Sequence, residues 1–186
     1  AAAANTPIRI VSGSNTKNIT VGTNWYNGND PSTFTVTAGA STMTVYGDII
    51  GFDCSHNEAN LTSLDVSKNT KLIWLNCYYN QLSSLDVSNN TQLKTLNCSN
   101  NQLTFLDVSN NTQLNILWCY SNQLTSLNVS GNTQLNELWC YSNQLISLDV
   151  SGNTQLKKLW CYSNQLTSLD VSGNTQLEVF DCYNNN

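Results

Sequence analysis

Apolar residues recur along this chain with two interlocked spacings. From Leu61 onward they fall at positions 1, 4 and 6 of alternating 11- and 10-residue segments, LxxLDVSxNTx and LxxLxCxxNQ, which together make a 21-residue unit. The first unit runs from Leu61 to Gln81. Copies start at Leu82, Leu103, Leu124, Leu145 and Leu166, and the sixth unit ends on Asn186. One more second half, Ile49 to Asn57 (IIGFDCSHN), precedes them. The alternation Leu, x, Cys, x is the period-two signature of a strand with one buried face, so Leu75 and Cys77 are expected to point inward and Asn76 and Tyr78 outward. A single copy cannot bury its apolar side. Stacked copies pair strand on strand about 4.8 Å apart and close a continuous core, which predicts a coil of parallel strands forming a sheet about 30 Å along its axis.

Residues 1–48 lack the repeat and carry short β-rich runs, Ile8 to Val11, Thr33 to Thr37 and Thr42 to Tyr46, separated by turn-rich segments such as Asn27-Gly28-Asn29-Asp30-Pro31. They are expected to form an N-terminal β cap, followed over 49–186 by a solenoid with a leading half-repeat (49–60) and six repeats (61–186). A solenoid end exposes core and strand edges, so a terminal covering unit is physically required. At the other end the array stops on a complete repeat at Asn184-Asn185-Asn186, and the polypeptide is expected to continue.

The motif LxxLxCxxNxL, as in Leu72, Leu75, Cys77, Asn80 and Leu82, resembles the leucine-rich repeat with Cys in place of one Leu. Its 21-residue form with a cysteine column is similar to the internalin J-like type and to surface repeat proteins of Bacteroidetes, over residues 49–186. The resemblance implies a β-rich solenoid, a bacterial secreted or cell-surface location, and a part in adhesion.

In a repeat solenoid each sequence position becomes a column. Cysteines 54, 77, 98, 119, 140, 161 and 182 occupy an inward column where a thiol packs as a small hydrophobe. Parallel side chains and an odd count argue against disulfides, and the spacing lacks the local CxxC pairs of a zinc site, so no metal is expected. His56, the only histidine, lies near Cys54 and is the one conceivable nucleophile partner. The asparagines from Asn69 to Asn174 and from Asn80 to Asn185 fall where straight segments turn, and their amides can satisfy turn backbone groups. Aspartates 65, 86, 107, 149 and 170, with Asn128 completing the column, either accept turn hydrogen bonds or gather a cation such as calcium. Asn128 keeps the acceptor without the charge, which favours the turn reading.

Outward positions carry aromatic columns. Position 5 of the second half holds Trp118, Trp139 and Trp160; position 7 holds Tyr120, Tyr141, Tyr162 and Tyr183; Trp74, Tyr78 and Tyr79 form an earlier cluster. Cross-strand stacking alone would stabilise the sheet by about 0.2 to 1 kcal/mol per pair. Rings of some 150 to 250 Å² each, side by side, also make an apolar patch larger than monomers usually tolerate without a purpose, which favours ligand binding through these residues.

Only 10% of residues are charged, and the net charge of −5 offers no basic field for phosphates, so nucleic acid is not an expected partner. No run reaches the roughly 18 apolar residues of a membrane span, and no membrane insertion is expected. An enzyme needs a singular constellation, whereas the conspicuous polar groups here are repeated, so neither catalysis nor a cofactor is expected. The leading expectation is a surface recognition module that binds a protein or carbohydrate on a cell surface through the aromatic columns. The alternatives are an ice-binding solenoid that uses the threonines 70, 91, 112, 133, 154 and 175, and a purely structural spacer in a larger surface protein.

Overall fold

The computed structural model describes the backbone of residues 7–12, 17–22, 32–36 and 42–46, and residues 49–56 and 61–186 with their side chains. The strands are β1 (Pro7–Ser12), β2 (Lys17–Gly22), β3 (Ser32–Val36), β4 (Thr42–Tyr46), β5 (Gly51–Asp53), β6 (Leu61–Asp65), β7 (Trp74–Asn76), β8 (Thr95–Asn97), β9 (Ile116–Trp118), β10 (Glu137–Trp139), β11 (Lys158–Trp160) and β12 (Val179–Asp181). The turn expected at Asn27 to Pro31 lies outside the described residues.

The second half of each repeat supplies one strand. β5 and β7 to β12 pair in parallel, one coil per strand, with Leu75, Leu96, Leu117, Leu138 and Leu159 in register. The strands are only three residues long and occupy positions 3 to 5, so each cysteine follows its strand. Pairing nevertheless continues past the strand. Cys119 N donates to Trp139 O at 2.9 Å, and Ser121 N donates to Tyr141 O at 3.0 Å. β2 extends this sheet antiparallel to β5, and β3 pairs antiparallel with β2. β1 lies between β4 and β6 in a separate three-stranded antiparallel sheet.

The inward columns form one continuous core. Leu72, Leu75 and Cys77 and their copies through Cys161 are fully buried, as are Val66, Val87, Val108, Val129 and Val150 from the first halves. Cys182, in the last described coil, is exposed, unlike the other six cysteines. Burial pushes the remaining thiols up, that of Cys98 to about 12.

Asparagine closes each coil. Asn143 Nδ2 donates to Cys119 O of the previous coil and to Cys140 O and Tyr141 O of its own, while its Oδ1 accepts from Leu124 N, where the same coil began. The residue before it is left-handed in every described coil, from His56 through Ser121, Ser142 and Ser163 to Asn184, with φ between 52° and 58°. That turn brings the amide back over its own chain. In the first halves Asn132 Nδ2 donates to Val108 O and Asn111 O, but its buried Oδ1 has no partner. The aspartate column accepts turn hydrogen bonds. Ser88 N donates to Asp86 Oδ1 at 2.9 Å, and Ser130 N donates to Asn128 Oδ1 at 3.1 Å in the neutral copy. The Ser88 hydroxyl, followed by its backbone N–H, holds the Asp86 carboxyl below its ordinary range.

Candidate functional site

The period-two alternation that sends Leu117, Leu138 and Leu159 into the core turns Trp118, Trp139 and Trp160 to the opposite face of the sheet. Parallel in-register pairing then places identical side chains next to one another. The indoles form a continuous stack, with ring centroids 4.7 Å apart for Trp118 and Trp139 and 4.1 Å apart for Trp139 and Trp160. Beside it runs a second stack. Tyr120, Tyr141, Tyr162 and Tyr183 lie 4.4, 4.4 and 4.6 Å apart with planes within 12° of parallel. Tyr120 joins the two stacks through a tilted contact with Trp139 at 6.2 Å.

The rings are outward but half-buried, because each neighbour covers one face of the next; only Tyr183, at the end, is exposed. Burial between Tyr120 and Tyr162 raises the Tyr141 phenol pKa well above its ordinary value, and the neighbouring phenols add to the effect. Two polar details distinguish the indoles. Trp118 Nε1 donates to Glu137 Oε1 at 2.9 Å, and the other carboxylate oxygen of Glu137 meets Lys158 Nζ at 3.3 Å. Trp139 Nε1 is buried without an acceptor.

The earlier cluster is only partly joined to these stacks. Tyr78 reaches Tyr120 at 6.2 Å across the small Ser99, and packs against His56 and Tyr79 at 4.7 and 6.0 Å. Trp74, at position 3, faces a cavity of about 540 Å³ whose other wall includes Trp118. His56 is thus an aromatic neighbour of Tyr78, and the buried Cys54 beside it has its thiol pushed up by burial and by the Asp53 charge, the reverse of an activated nucleophile. Among the described residues no three His, Cys, Asp or Glu side chains gather to hold a metal ion. Sequence reasoning passed over Glu137, Lys158 and the residues around Trp74. Their one signal was that position 3, reading Trp74, Thr95, Ile116, Glu137, Lys158 and Val179, changes identity in every repeat.

A cysteine ladder also appears in a solved structure of similar fold. The functional domain of InlJ from Listeria monocytogenes, which includes a cysteine ladder, matches with 35% identity and a TM-score of 0.68, over 78% of this chain and 38% of that one. The chain is a leucine-rich-repeat solenoid with an internalin-type cysteine ladder. A second internalin of Listeria monocytogenes, InlF, matches this leucine-rich-repeat solenoid with 31% identity and a TM-score of 0.62, over 64% of this chain and 37% of that one. A leucine-rich-repeat protein of Leptospira interrogans matches with 28% identity and a TM-score of 0.61, over 64% and 33%. The chain spans 33% to 38% of the length of these three structures. No family model and no curated protein matches its sequence.

Proposed function

We propose that this solenoid is a recognition module of a bacterial secreted or cell-surface protein, and that it binds a protein or glycan through the paired Trp and Tyr stacks, with residues 1–48 as its N-terminal cap. The observation that carries the reading is the contiguity of the two stacks on a sheet face over which no other described element packs. Rigid aromatic rings supply contact area at small entropic cost. The buried, unmatched indole N–H of Trp139 adds to the argument. Leaving such a donor unpaired costs about 1 to 3 kcal/mol, a cost that tyrosine or phenylalanine would avoid if sheet stability were the sole purpose. Apolar exposures on the opposite half are single side chains, Phe105 and Ile146, two coils apart, and need no partner.

The threonine rank from Thr70 to Thr175 is exposed throughout, but it is one residue wide beside a glutamine rank, which makes a narrow ice-binding plane. A glycan array probed alongside an array of extracellular protein domains tests the main reading. Binding by the parent chain that is lost in Trp139→Ala is the expected result. Failure of either array to bind, together with measurable thermal hysteresis, would transfer the function to the threonine rank.

A further inference from the structure

The aromatic face is interrupted at the second repeat. There the outward positions carry Thr95, Asn97 and Ser99, all small, while the coils on either side carry Trp74 and Tyr78 and then Trp118 and Tyr120. At position 7 the gap is closed, because Tyr78 and Tyr120 lean together over the buried Ser99. At position 3 it stays open as the cavity of about 540 Å³ between Trp74 and Trp118. Strands two coils apart lie about 10 Å from each other, which leaves room for one inserted side chain between the indoles.

The lining of this notch is singular in the array. Positions 2 and 3 contribute Ile50, Ile73 and Ile116 here, whereas the later coils place Asn136, Glu137, Lys157 and Lys158 at the same points. Stacking requires none of these identities. One wall is fixed in advance, since Glu137 holds the Trp118 indole through its N–H. At the rim stands Lys94, exposed and with no ion pair among the described residues; the carboxylate of Glu137, two coils on, is engaged by Trp118 and Lys158. Beyond Lys94 the surface continues as a shelf of amides, Gln113, Asn115 and Gln134, around a second cavity of about 530 Å³.

We infer that this notch is the anchoring subsite of the aromatic face, and that it takes an extended protein segment in which an apolar side chain is followed by a carboxylate. The inference rests on the reading of that face as a recognition surface, and it narrows the partner to a protein. The apolar side chain enters between Trp74 and Trp118 against the isoleucines, the carboxylate meets Lys94, and the segment's backbone reaches the amide shelf. A sugar fits less well. Among the described lining residues its hydroxyls would meet Thr95, Lys94 and the indoles beside three isoleucines, and the Trp118 N–H is already taken by Glu137.

Phage-displayed random peptides panned on the whole chain provide the test, with three folded variants compared by titration against the selected peptides. Lys94→Glu reverses the rim charge on an exposed side chain, Thr95→Trp fills the notch, and Trp160→Ala removes a ring of the main stack that lies outside it. The expected result is enrichment of peptides with an apolar residue beside Asp or Glu. Their binding should fall at least tenfold in Lys94→Glu and in Thr95→Trp and stay within twofold in Trp160→Ala. No enrichment, or enriched peptides indifferent to the first two variants, would overturn the notch. Peptides lost only in Trp160→Ala would do so while leaving the aromatic face as the binding surface. Uronate oligosaccharides that bind the parent and lose binding in Lys94→Glu and Thr95→Trp would replace the protein partner with a glycan.

Discussion

The two halves of each repeat share apolar residues at positions 1, 4 and 6, yet the second half forms a strand in every coil, whereas the first half does so only at Leu61–Asp65, where β1 lies alongside it. The halves also differ in their outward rings, which stack from the third repeat onward, and in how the asparagine at position 9 is used. In the second half the outward rings stack across coils, and the closing asparagine uses both ends of its amide. In the first half the asparagine leaves its oxygen unmatched, whereas the bond from a backbone N–H to the position-5 carboxylate or amide two residues before it is found in both halves. The inward pattern sets burial in both halves and does not by itself make a strand.

The asparagines provide the largest contrast. Asn143→Ala strips a hydrogen bond from Leu124 N and from two buried carbonyls, at about 1 to 3 kcal/mol for each group left unsatisfied, though partial relaxation keeps the sum near 3 kcal/mol. Asn132→Ala removes two donated bonds and also an orphaned acceptor, so it should cost clearly less. Urea unfolding of the pair measures the gap, and equal costs would erase the distinction between the halves.

The thiols come next. Cys119→Ser buries a hydroxyl in a column fitted to sulfur and should cost about 1 to 3 kcal/mol. In this chain a thiol reagent should reach the six buried cysteines only on unfolding. The pH dependence has a defined sign. The folded pKa of Cys98, about 12, lies above its ordinary value of 9.0, so the stability from burying the neutral thiol is complete below pH 9 and is lost as pH rises towards 12. A melting temperature that stays flat over that alkaline range would contradict the packing account.

The smallest effect tests the backbone. Ser142 is left-handed, a conformation that costs a side-chain-bearing residue about 1 to 2 kcal/mol, and glycine returns about 0.5 to 1 kcal/mol of that as chain entropy. Ser142→Gly should therefore stabilise by less than about 1 kcal/mol. Ser147→Gly, exposed in a first half and not left-handed, should destabilise by about 0.5 to 1 kcal/mol. Changes of the same sign in the two variants would remove this difference between the halves.

Much of this was legible in the sequence because repetition turns a position into a column. The 21-residue period gave the coil, the inward Leu and Cys, and the outward placement of Trp118, Trp139 and Trp160; Asn128 among the aspartates pointed to turn acceptors rather than a cation site. What escaped was everything that depends on neighbouring coils differing. The notch between Trp74 and Trp118 draws its lining from four coils, and no single repeat carries a signal for it. The clasp of Glu137 with Trp118 and Lys158 likewise joins three coils through residues that look like ordinary surface charges. The half-burial of the rings follows from centroid spacings near 4.5 Å, which periodicity does not report.

The central claim is that the aromatic stacks serve recognition beyond holding the sheet together, and neighbouring residues on one strand separate the two roles. Leu138 points into the core and Trp139 points out. Unfolding free energy and affinity for the ligand found on the arrays should be measured for Leu138→Ala and Trp139→Ala together. Leu138→Ala should cost about 2 to 5 kcal/mol of stability. Trp139→Ala should cost clearly less stability while weakening binding by about 2 kcal/mol or more. A Trp139→Ala protein that binds as tightly as the parent and loses only stability would make the stacks scaffolding and contradict the account.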